Sequence, residues 1–265
     1  CFPVKLAFGH LLDVAERDVD AVLLPSVMTR PDAAPGQPHN HSCPLVQSTP
    51  PLLIANLGQR PGMPPLITRA LHLQNARAAR AELRALAIEL GAGADVDLDA
   101  AIAAGWSAQR RFQGALRAAG RVALSLLARD QAAAVIVGRP YNGSDLGSNL
   151  DLPYKLRRMN GLPFPMDFLP LEEGTLPDLH DDMYWRSGQD ILRAASIIRE
   201  DPRLQAIYLT NFNCGPDAFL ITFFHEAMRG KPFLELEVDE HTADAGMITR
   251  CEAFFDSLDL SRSVV

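Results

Sequence analysis

The second half of the chain alternates short apolar runs with amphipathic stretches, and this rhythm is what most constrains the fold. Apolar runs of strand length occur at 133–137, 162–169, 204–209 and 233–238. Helix-like segments occur at 145–158, 184–200, 216–229 and 243–258. Strands that alternate with helices pair in parallel, because each helix carries the chain back to the starting edge of the sheet. The pattern predicts a doubly wound, mostly parallel sheet.

The first half predicts a smaller lobe followed by a helical segment. Short strands are predicted at 20–25 and around 66–68. From 75 to about 130 the chain is rich in Ala, Leu and Arg, which predicts amphipathic helices with breaks near 91–93 and Gly120. We therefore predict an α/β protein with two Rossmann-like lobes and an added helical segment. The predicted division is 1–74 for the first lobe, 75–131 for the helices and 132–265 for the second lobe.

The composition argues against several classes of protein. A net charge of −7 is unlike a general nucleic-acid binder, which carries a basic stripe. No apolar run approaches the roughly 20 residues needed to cross a bilayer. Four widely spread cysteines do not resemble a secreted disulfide scaffold, so we predict a cytoplasmic location. The chain begins with Cys1 rather than Met, and we expect it to be a segment of a longer protein that lacks its N-terminal element.

Three cysteines share a local setting that places each sulfur near the start of a helix. A proline follows each within two residues, and an apolar run comes next, in Cys1-Phe2-Pro3, Ser42-Cys43-Pro44 and Cys214-Gly215-Pro216. Proline is favoured in the first helical turn, where free amides and the helix dipole favour a thiolate. Thiolates bind soft metals, so the pattern indicates a metal cluster assembled from separate parts of the chain. The alternative is three unconnected buried thiols, since no CxxC pair is present.

The remaining cysteine and two histidines are weaker candidates for a metal site. Cys251 lies inside the last predicted helix and is either a structural thiol or a fourth ligand. His39 and His41 flank a loop near Cys43, and we expect surface positions for them unless that loop folds over a metal. Cys214 follows a predicted strand and could also be a nucleophile, although the sequence shows no obvious His partner.

Cys214, the loop 138–143 and the corner 239–244 all follow predicted strands. Parallel sheets place their sites at the carboxyl ends of strands, so these three segments should share one face. Amides of the loop could hold a phosphate or carboxylate, but the loop matches neither GxGxxG nor the P-loop pattern. An ordinary tight turn explains its glycines about as well. The corner is either part of the site or a helix cap, with Thr242 or His241 at the N-cap.

Four separated segments together resemble one known family. They are residues 1–7 (CFPVKLA), 137–142 (VGRPYN), 208–217 (YLTNFNCGPD) and 236–246 (LEVDEHTADAG). These segments look like the acyl-CoA dehydratase activase-related proteins, which are akin to the subunits of 2-hydroxyacyl-CoA dehydratases and benzoyl-CoA reductases. The resemblance spans nearly the whole chain, and four motifs in the right order make it fairly specific.

The resemblance implies a cofactor and a reaction. Subunits of this superfamily pair two Rossmann-like lobes with a helical part, and three cysteines hold a [4Fe–4S] cluster that leaves one iron open. Carried over by position, the ligands would be Cys1, Cys43 and Cys214, which agrees with their helix-start setting. An ATP-hydrolysing activase supplies a low-potential electron for radical dehydration or reduction of an acyl-CoA-type substrate. The cysteines are too few for two fused clusters.

The resemblance also implies site residues and partners. The residues expected to line the substrate pocket are Gly138, Arg139, Tyr141 and Asn142, and the candidate catalytic residues are Asn211 and His241. The ATP-binding motif of the activase is not found in this sequence, so the chain should receive electrons from an activase. That activase is expected as a separate protein or within the same longer polypeptide. A dimer is expected, with neither nucleic acid nor membrane as a partner.

Three functions of different classes remain open at this point. The first is an iron–sulfur enzyme module that acts on an acyl-CoA-type substrate. The second is an electron-transfer or assembly module that holds a cluster, docks an activase and has no substrate of its own. The third is a structural zinc site in a scaffold without catalytic activity. Access to the open iron separates the first two, and metal analysis identifies the third.

Overall fold

A computed structural model describes residues 1–31, 38–93, 95–128, 132–159, 161–176 and 182–258. These residues form two compact units. The N-terminal unit comprises Val4–Gly114 and Tyr184–Arg186, and the C-terminal unit comprises Cys1–Pro3, Ala115–Met183 and Ser187–Val265. The three-part division derived from the sequence stays a prediction. Within the described ranges, no helix is long and apolar enough to cross a bilayer.

The N-terminal unit combines helices with very short parallel strands. Its elements, two of which extend into the other unit, are α1 (Phe2–Ala15), β1 (Val22–Leu23), β2 (Ser26–Thr29), α2 (Pro44–Leu57), β3 (Leu66–Ile67), β4 (Ala70–His72), α3 (Ala76–Glu89) and α4 (Leu98–Leu126). β1 pairs with β3 and β2 pairs with β4, both in parallel. Pro25 separates β1 from β2, because proline has no N–H to donate to a ladder. A Rossmann-like lobe is therefore not confirmed here.

The helical segment agrees with the sequence at one predicted break and differs at the other. α3 ends at Glu89 and α4 begins at Leu98, so the break near 91–93 is confirmed. The break predicted near Gly120 is wrong, because Gly120 lies inside α4. A Cβ atom at Gly120 would lie 2.0 Å from the carbonyl oxygen of Phe168. Glycine is needed there for close backbone contact and does not end the helix.

The C-terminal unit is built on one four-stranded parallel sheet. Its elements are β5 (Ala133–Gly138), α5 (Pro140–Ser144), α6 (Leu152–Arg158), β6 (Leu162–Pro165), α7 (Arg186–Glu200), β7 (Leu204–Asn211), α8 (Gly215–Ala227), β8 (Leu234–Val238) and α9 (Asp244–Ser257). The strand order is β6-β5-β7-β8, and every residue of β5 and β7 is buried. The predicted α/β architecture with parallel strands is confirmed.

Helices pack on both faces of this sheet. Alternate residues of a strand point to opposite faces. Ile207 and Leu209 of β7 belong to an apolar cluster with Leu156 of α6 and Met247 of α9. On the other face the ring of Tyr208 lies 4.8 Å from the ring of Phe224 of α8. The sheet therefore has an α6/α9 face and an α8 face.

The connection from β5 to α6 is less helical than the sequence predicts. The segment 145–158 was expected to be helical, but α5 ends at Ser144 and α6 begins only at Leu152. Leu150 and Asp151 adopt φ angles of 52° and 56°, in the left-handed region that side chains with a Cβ atom disfavour. This strained turn lies between two short helices at the end of β5.

Candidate functional site

The C-terminal unit has a topological switch point between β5 and β7. The chain leaves β5 for β6 on one side and leaves β7 for β8 on the other, although β5 and β7 are neighbours in the sheet. In open α/β sheets ligands bind outside the carboxyl ends of the strands at such a point. Gly138 and Asn211 end these two strands. The segments that follow them, Arg139 onward and Phe212 to Cys214, are therefore the first place to look for a site.

Cys214 caps the N-terminus of α8 and is 8% exposed. Asn213 reaches this turn with φ 57°, and the Cys214 amide donates to the Asn211 carbonyl oxygen at 3.0 Å. Burial, followed by the charge of Asp217, raises the pKa of the Cys214 thiol to about 11. The sequence argument favoured a thiolate at this helix start. In the folded chain without metal, burial outweighs that effect and keeps the sulfur protonated at neutral pH.

A buried ion pair holds the first turn of α8 against the end of β5. The Arg139 guanidinium donates from Nε at 3.0 Å and from an Nη atom at 2.8 Å to the same Asp217 carboxylate oxygen. The Thr210 hydroxyl donates to the other Asp217 oxygen at 2.7 Å. Arg139, Asp217 and Thr210 are all less than 10% exposed. Asp217 lies three residues after Cys214, so this network positions the cysteine turn.

The other two predicted ligands also stand at helix starts. Cys43 is the N-cap of α2, is buried, and accepts a hydrogen bond from the Val46 amide at 3.4 Å. Cys1 is exposed and immediately precedes α1. Cys1 and Cys214 belong to the C-terminal unit and Cys43 to the N-terminal unit. The local settings predicted for these cysteines are therefore present.

Cys251 differs from these three residues. It is a fully buried residue of α9 in the apolar cluster, and burial raises the pKa of its thiol to about 11. This setting is that of a structural thiol. In the part of the chain that the structure describes, no three His, Cys, Asp or Glu side chains are grouped so that they could hold a metal ion. Cluster ligation by Cys1, Cys43 and Cys214 stays a prediction.

The loop after β5 is largely engaged with the protein itself. Asn142 is fully buried, donates to the Leu209 carbonyl oxygen at 3.1 Å and accepts from the Ser148 hydroxyl at 2.9 Å. A Cβ atom at Gly138 would lie 2.6 Å from the Leu209 carbonyl oxygen, so glycine there permits close strand pairing. Together with the Arg139 ion pair, these contacts hold the turn in place. Tyr141 is half-buried.

The two candidate catalytic residues occupy opposite environments. His241 is exposed, and its amide donates to an Asp239 carboxylate oxygen at 2.9 Å. The N-cap of α9 is Ala243, which lies one residue after Thr242 and two after His241, the two predicted cap positions. Asn211 is 2% exposed, and neither its amide oxygen nor its amide nitrogen has a hydrogen-bond partner.

His41 in the N-terminal unit is not the simple surface residue that the sequence predicted. Its ring stacks on Tyr184 with a centroid distance of 4.0 Å and an interplanar angle of 8°. The His39 ring lies 5.3 Å from the same tyrosine. Burial, with the neighbouring His39 and His72, lowers the pKa of His41. Burial and the two neighbouring histidines therefore favour a neutral imidazole at His41.

The lowered pKa of His41 predicts a loss of stability on mild acidification. In the unfolded chain His41 is protonated near its ordinary pKa of about 6.5, whereas in the folded chain it is protonated only at lower pH. The free energy of unfolding should fall as the pH drops below about 6.5 and level off below the folded pKa. Urea denaturation at several pH values measures it. His41→Phe keeps an aromatic ring beside Tyr184 and should show a shallower fall; parallel pH profiles for the two proteins would contradict the prediction.

Two residues of this edge escaped the sequence argument. Asp217 looks like an ordinary acidic residue in a first helical turn, and nothing local indicates its ion pair with a residue 78 positions away. Asn149 lies in a segment predicted to be helical, but it is fully buried and both of its amide atoms lack a hydrogen-bond partner. Asp217 ends the segment 208–217 that carries the family resemblance, but neither that segment nor the surroundings of Asn149 in the sequence indicate these contacts.

Comparison with known proteins gives one family match. The family model described as the CoA enzyme activase uncharacterised domain matches residues 1–169. No curated protein and no solved structure matches the chain. The matched range includes Cys1, Cys43 and the loop 138–142, and it ends before Asn211 and Cys214.

Proposed function

Because the chain belongs to the family of the CoA enzyme activase uncharacterised domain, we propose that it is an iron–sulfur module that receives electrons from an ATP-hydrolysing activase. A [4Fe–4S] cluster would be held by Cys1, Cys43 and Cys214. The observation that carries the proposal is that each of these three cysteines opens a helix. The resemblance of the chain to the superfamily of acyl-CoA dehydratases and reductases supports a [4Fe–4S] cluster as the cofactor.

The donor chemistry of the three cysteines is suitable for a cluster. All four cysteines of the chain are free, and Cys43 and Cys214 are shielded from water at helix N-caps. Cys214 would hold the cluster as a thiolate, so binding would require this buried thiol to release its proton.

When bound, a cluster with three thiolate ligands supplies one iron that is open to a further ligand and can accept an electron. The protein itself supplies position. The Arg139–Asp217 pair fixes the first turn of α8, and the αL residue Asn213 turns the chain from β7 toward Cys214. We propose that this arrangement serves radical dehydration or reduction of an acyl-CoA-type substrate. Gly138, Tyr141, Asn211 and His241 would then be the residues closest to the substrate.

A specific observation favours the second candidate function, an electron-transfer or assembly module without a substrate. Arg139 and Asn142 were expected to bind a substrate, but their polar groups contact Asp217, Leu209 and Ser148 of the same chain. A guanidinium that is already paired with a carboxylate is a weak anion site. An acyl-CoA titration followed by the EPR spectrum of the reduced protein separates the two functions, since only the enzyme module should show a perturbed cluster.

The cluster itself is tested on full-length protein made and purified without oxygen. We expect about four irons and four acid-labile sulfides per chain, with a cluster EPR signal on reduction. Cys214→Ser should lose most of this iron. Cys251→Ser is the matched control, because Cys251 is also buried but lies inside a helix, and this variant should keep its iron. Iron-free wild-type protein, or equal losses in the two variants, would contradict the proposal.

A further inference from the structure

The helix α4 is a single continuous helix of 29 residues that lies mostly in solvent. All of its residues are described, and Gly120 is the one among them that is buried. Three large apolar side chains of this helix, Phe112, Val122 and Leu126, are 58%, 58% and 78% exposed. Single apolar residues on a surface are ordinary, but an apolar face that continues along a helix indicates an interaction site.

The exposed apolar residues of α4 follow a regular heptad spacing. From Ala101 to Leu126, steps of four and three residues alternate without a break. Every residue reached in this way is exposed and is either apolar or glycine: Ala101, Gly105, Ala108, Phe112, Ala115, Ala119, Val122 and Leu126. We call these residues the exposed seam. A 4–3 spacing that is sustained over roughly three and a half heptads is typical of a helix that pairs with another helix.

Two contacts of α4 within its own chain are made by a different side of the helix. The backbone at Gly120 packs against the Phe168 carbonyl oxygen, and the Nε atom of Arg117 lies 3.1 Å from a Glu172 carboxylate oxygen. Since each residue of an α-helix turns the chain by about 100°, Arg117 and Gly120 lie on the side roughly opposite to the exposed seam. These contacts therefore turn the seam toward solvent.

The exposed seam is complementary to itself when two copies run antiparallel. Aligning two seams over their full length brings together Ala101 with Leu126, Gly105 with Val122, Ala108 with Ala119, and Phe112 with Ala115. Each large residue then meets a small one, so the two helices keep an even separation along the seam. A parallel pair would set Phe112 against Phe112 and Ala115 against Ala115, which makes wide and narrow layers alternate. A surface that matches itself in this way is what a two-fold interface requires.

The charges of α4 are compatible with this pairing. Arg111 is the one charged residue at the heptad positions that flank the exposed seam. In the antiparallel alignment Arg111 lies beside Ala118 of the second copy, so like charges do not meet across the interface. The other three arginines of the helix lie farther around it, on the side away from the seam: Arg110, Arg117 and Arg121.

We propose that the exposed seam is a homodimer interface, in which α4 pairs antiparallel with α4 of a second copy. The two-fold axis passes between residues 113 and 114, and the paired seams are about 37 Å long. The family resemblance implies a dimer but indicates no surface for it. This interface needs no cluster and does not rest on the function proposed above.

Analytical ultracentrifugation of the full chain over about 1–100 μM should show an equilibrium between monomer and dimer. Phe112→Ala empties one layer of the interface, and Ala115→Phe sets two phenylalanines against each other. Each change should raise the dimer Kd at least about tenfold. The double variant Phe112→Ala/Ala115→Phe again has one large and one small residue in that layer, so its Kd should return to within about threefold of the wild-type value.

Gln113→Ala is the matched control, because Gln113 is equally in the exposed class and lies in the same turn as Phe112 but away from the seam. It should leave the dimer Kd unchanged. Far-UV circular dichroism of every variant checks that the helices remain folded. A wild-type chain that stays monomeric, single variants that dimerise like the wild type, or a double variant that is not rescued overturns the proposal.

Cross-linking tests the direction of the two helices. A mixture of Ala108→Cys and Ala119→Cys, treated with a short bismaleimide, should give a link between positions 108 and 119 of different copies, identified by peptide mass. Neither variant alone should link to itself at the new position, because the two copies of position 108 are about 16 Å apart along the helix axis, as are those of position 119. A link between two copies of position 108 would show a parallel pair and overturn the proposal.

Discussion

Replacing Arg139 with methionine should lower the free energy of unfolding by about 3–5 kcal/mol. The substitution removes the guanidinium but leaves the Asp217 carboxylate, which is 3% exposed and keeps its hydrogen bond from the Thr210 hydroxyl but loses its counter-ion. A buried charge without its counter-ion costs much more than an ion pair contributes in itself. Urea denaturation followed by circular dichroism measures the change.

Two further variants show whether the loss comes from the uncompensated charge. Arg139→Met with Asp217→Leu removes both charges, and it should be more stable than Arg139→Met alone. Arg203→Met breaks the ion pair between Arg203 and Asp201. The two side chains are 34% and 25% exposed, respectively. That loss should be about 1 kcal/mol or less, because solvent screens the pair. Equal losses at Arg139 and Arg203 would show that burial does not control the energetics of the Arg139 pair.

Replacing Gly120 with alanine should destabilise the protein by about 1–3 kcal/mol, although alanine is the better helix former. The added Cβ would lie 2.0 Å from the Phe168 carbonyl oxygen and 2.7 Å from its carbon. Both are backbone atoms that cannot rotate away, so α4 and the segment 166–168 must move apart. Thermal or urea unfolding of the variant measures the loss.

Gly105 provides the matched control for this substitution. It lies in the same helix, is exposed, and a Cβ atom there would meet nothing within 4 Å. Gly105→Ala should therefore stabilise the protein by about 0.5–1 kcal/mol through helix propensity alone. The two substitutions have opposite expected signs. A stabilising Gly120→Ala would mean that α4 is not held against the Phe168 carbonyl in solution.

The sequence predicted the C-terminal sheet well because the signal there is strong. All residues of β5 and β7 are buried, and strands covered on both faces appear in sequence as continuous apolar runs. The N-terminal unit lacks that signal. Its strands are two to four residues long, several of their residues are only half-buried, and Pro25 interrupts them. A periodicity argument needs longer segments than these to separate a Rossmann-like lobe from isolated strand pairs.

The helix starts at the cysteines were also predictable. Proline in the first turn is a local preference of the backbone, and Pro44 and Pro216 occupy that turn in α2 and α8. Gly120 shows the limit of such local reasoning. Glycine weakens a helix in isolation, which predicts a break, but packing against Phe168 keeps the helix intact through this residue.

The sequence by itself determined the parallel strands of the C-terminal unit and the position of Cys43 and Cys214 at helix starts. Both depend on preferences that act within a few residues. Only the tertiary structure decided that Arg139 is paired with Asp217, that burial raises the pKa of the Cys214 thiol, and that Asn149 and Asn211 are buried without partners. These properties depend on burial and on contacts between residues far apart in the chain, and neither is encoded in local spacing.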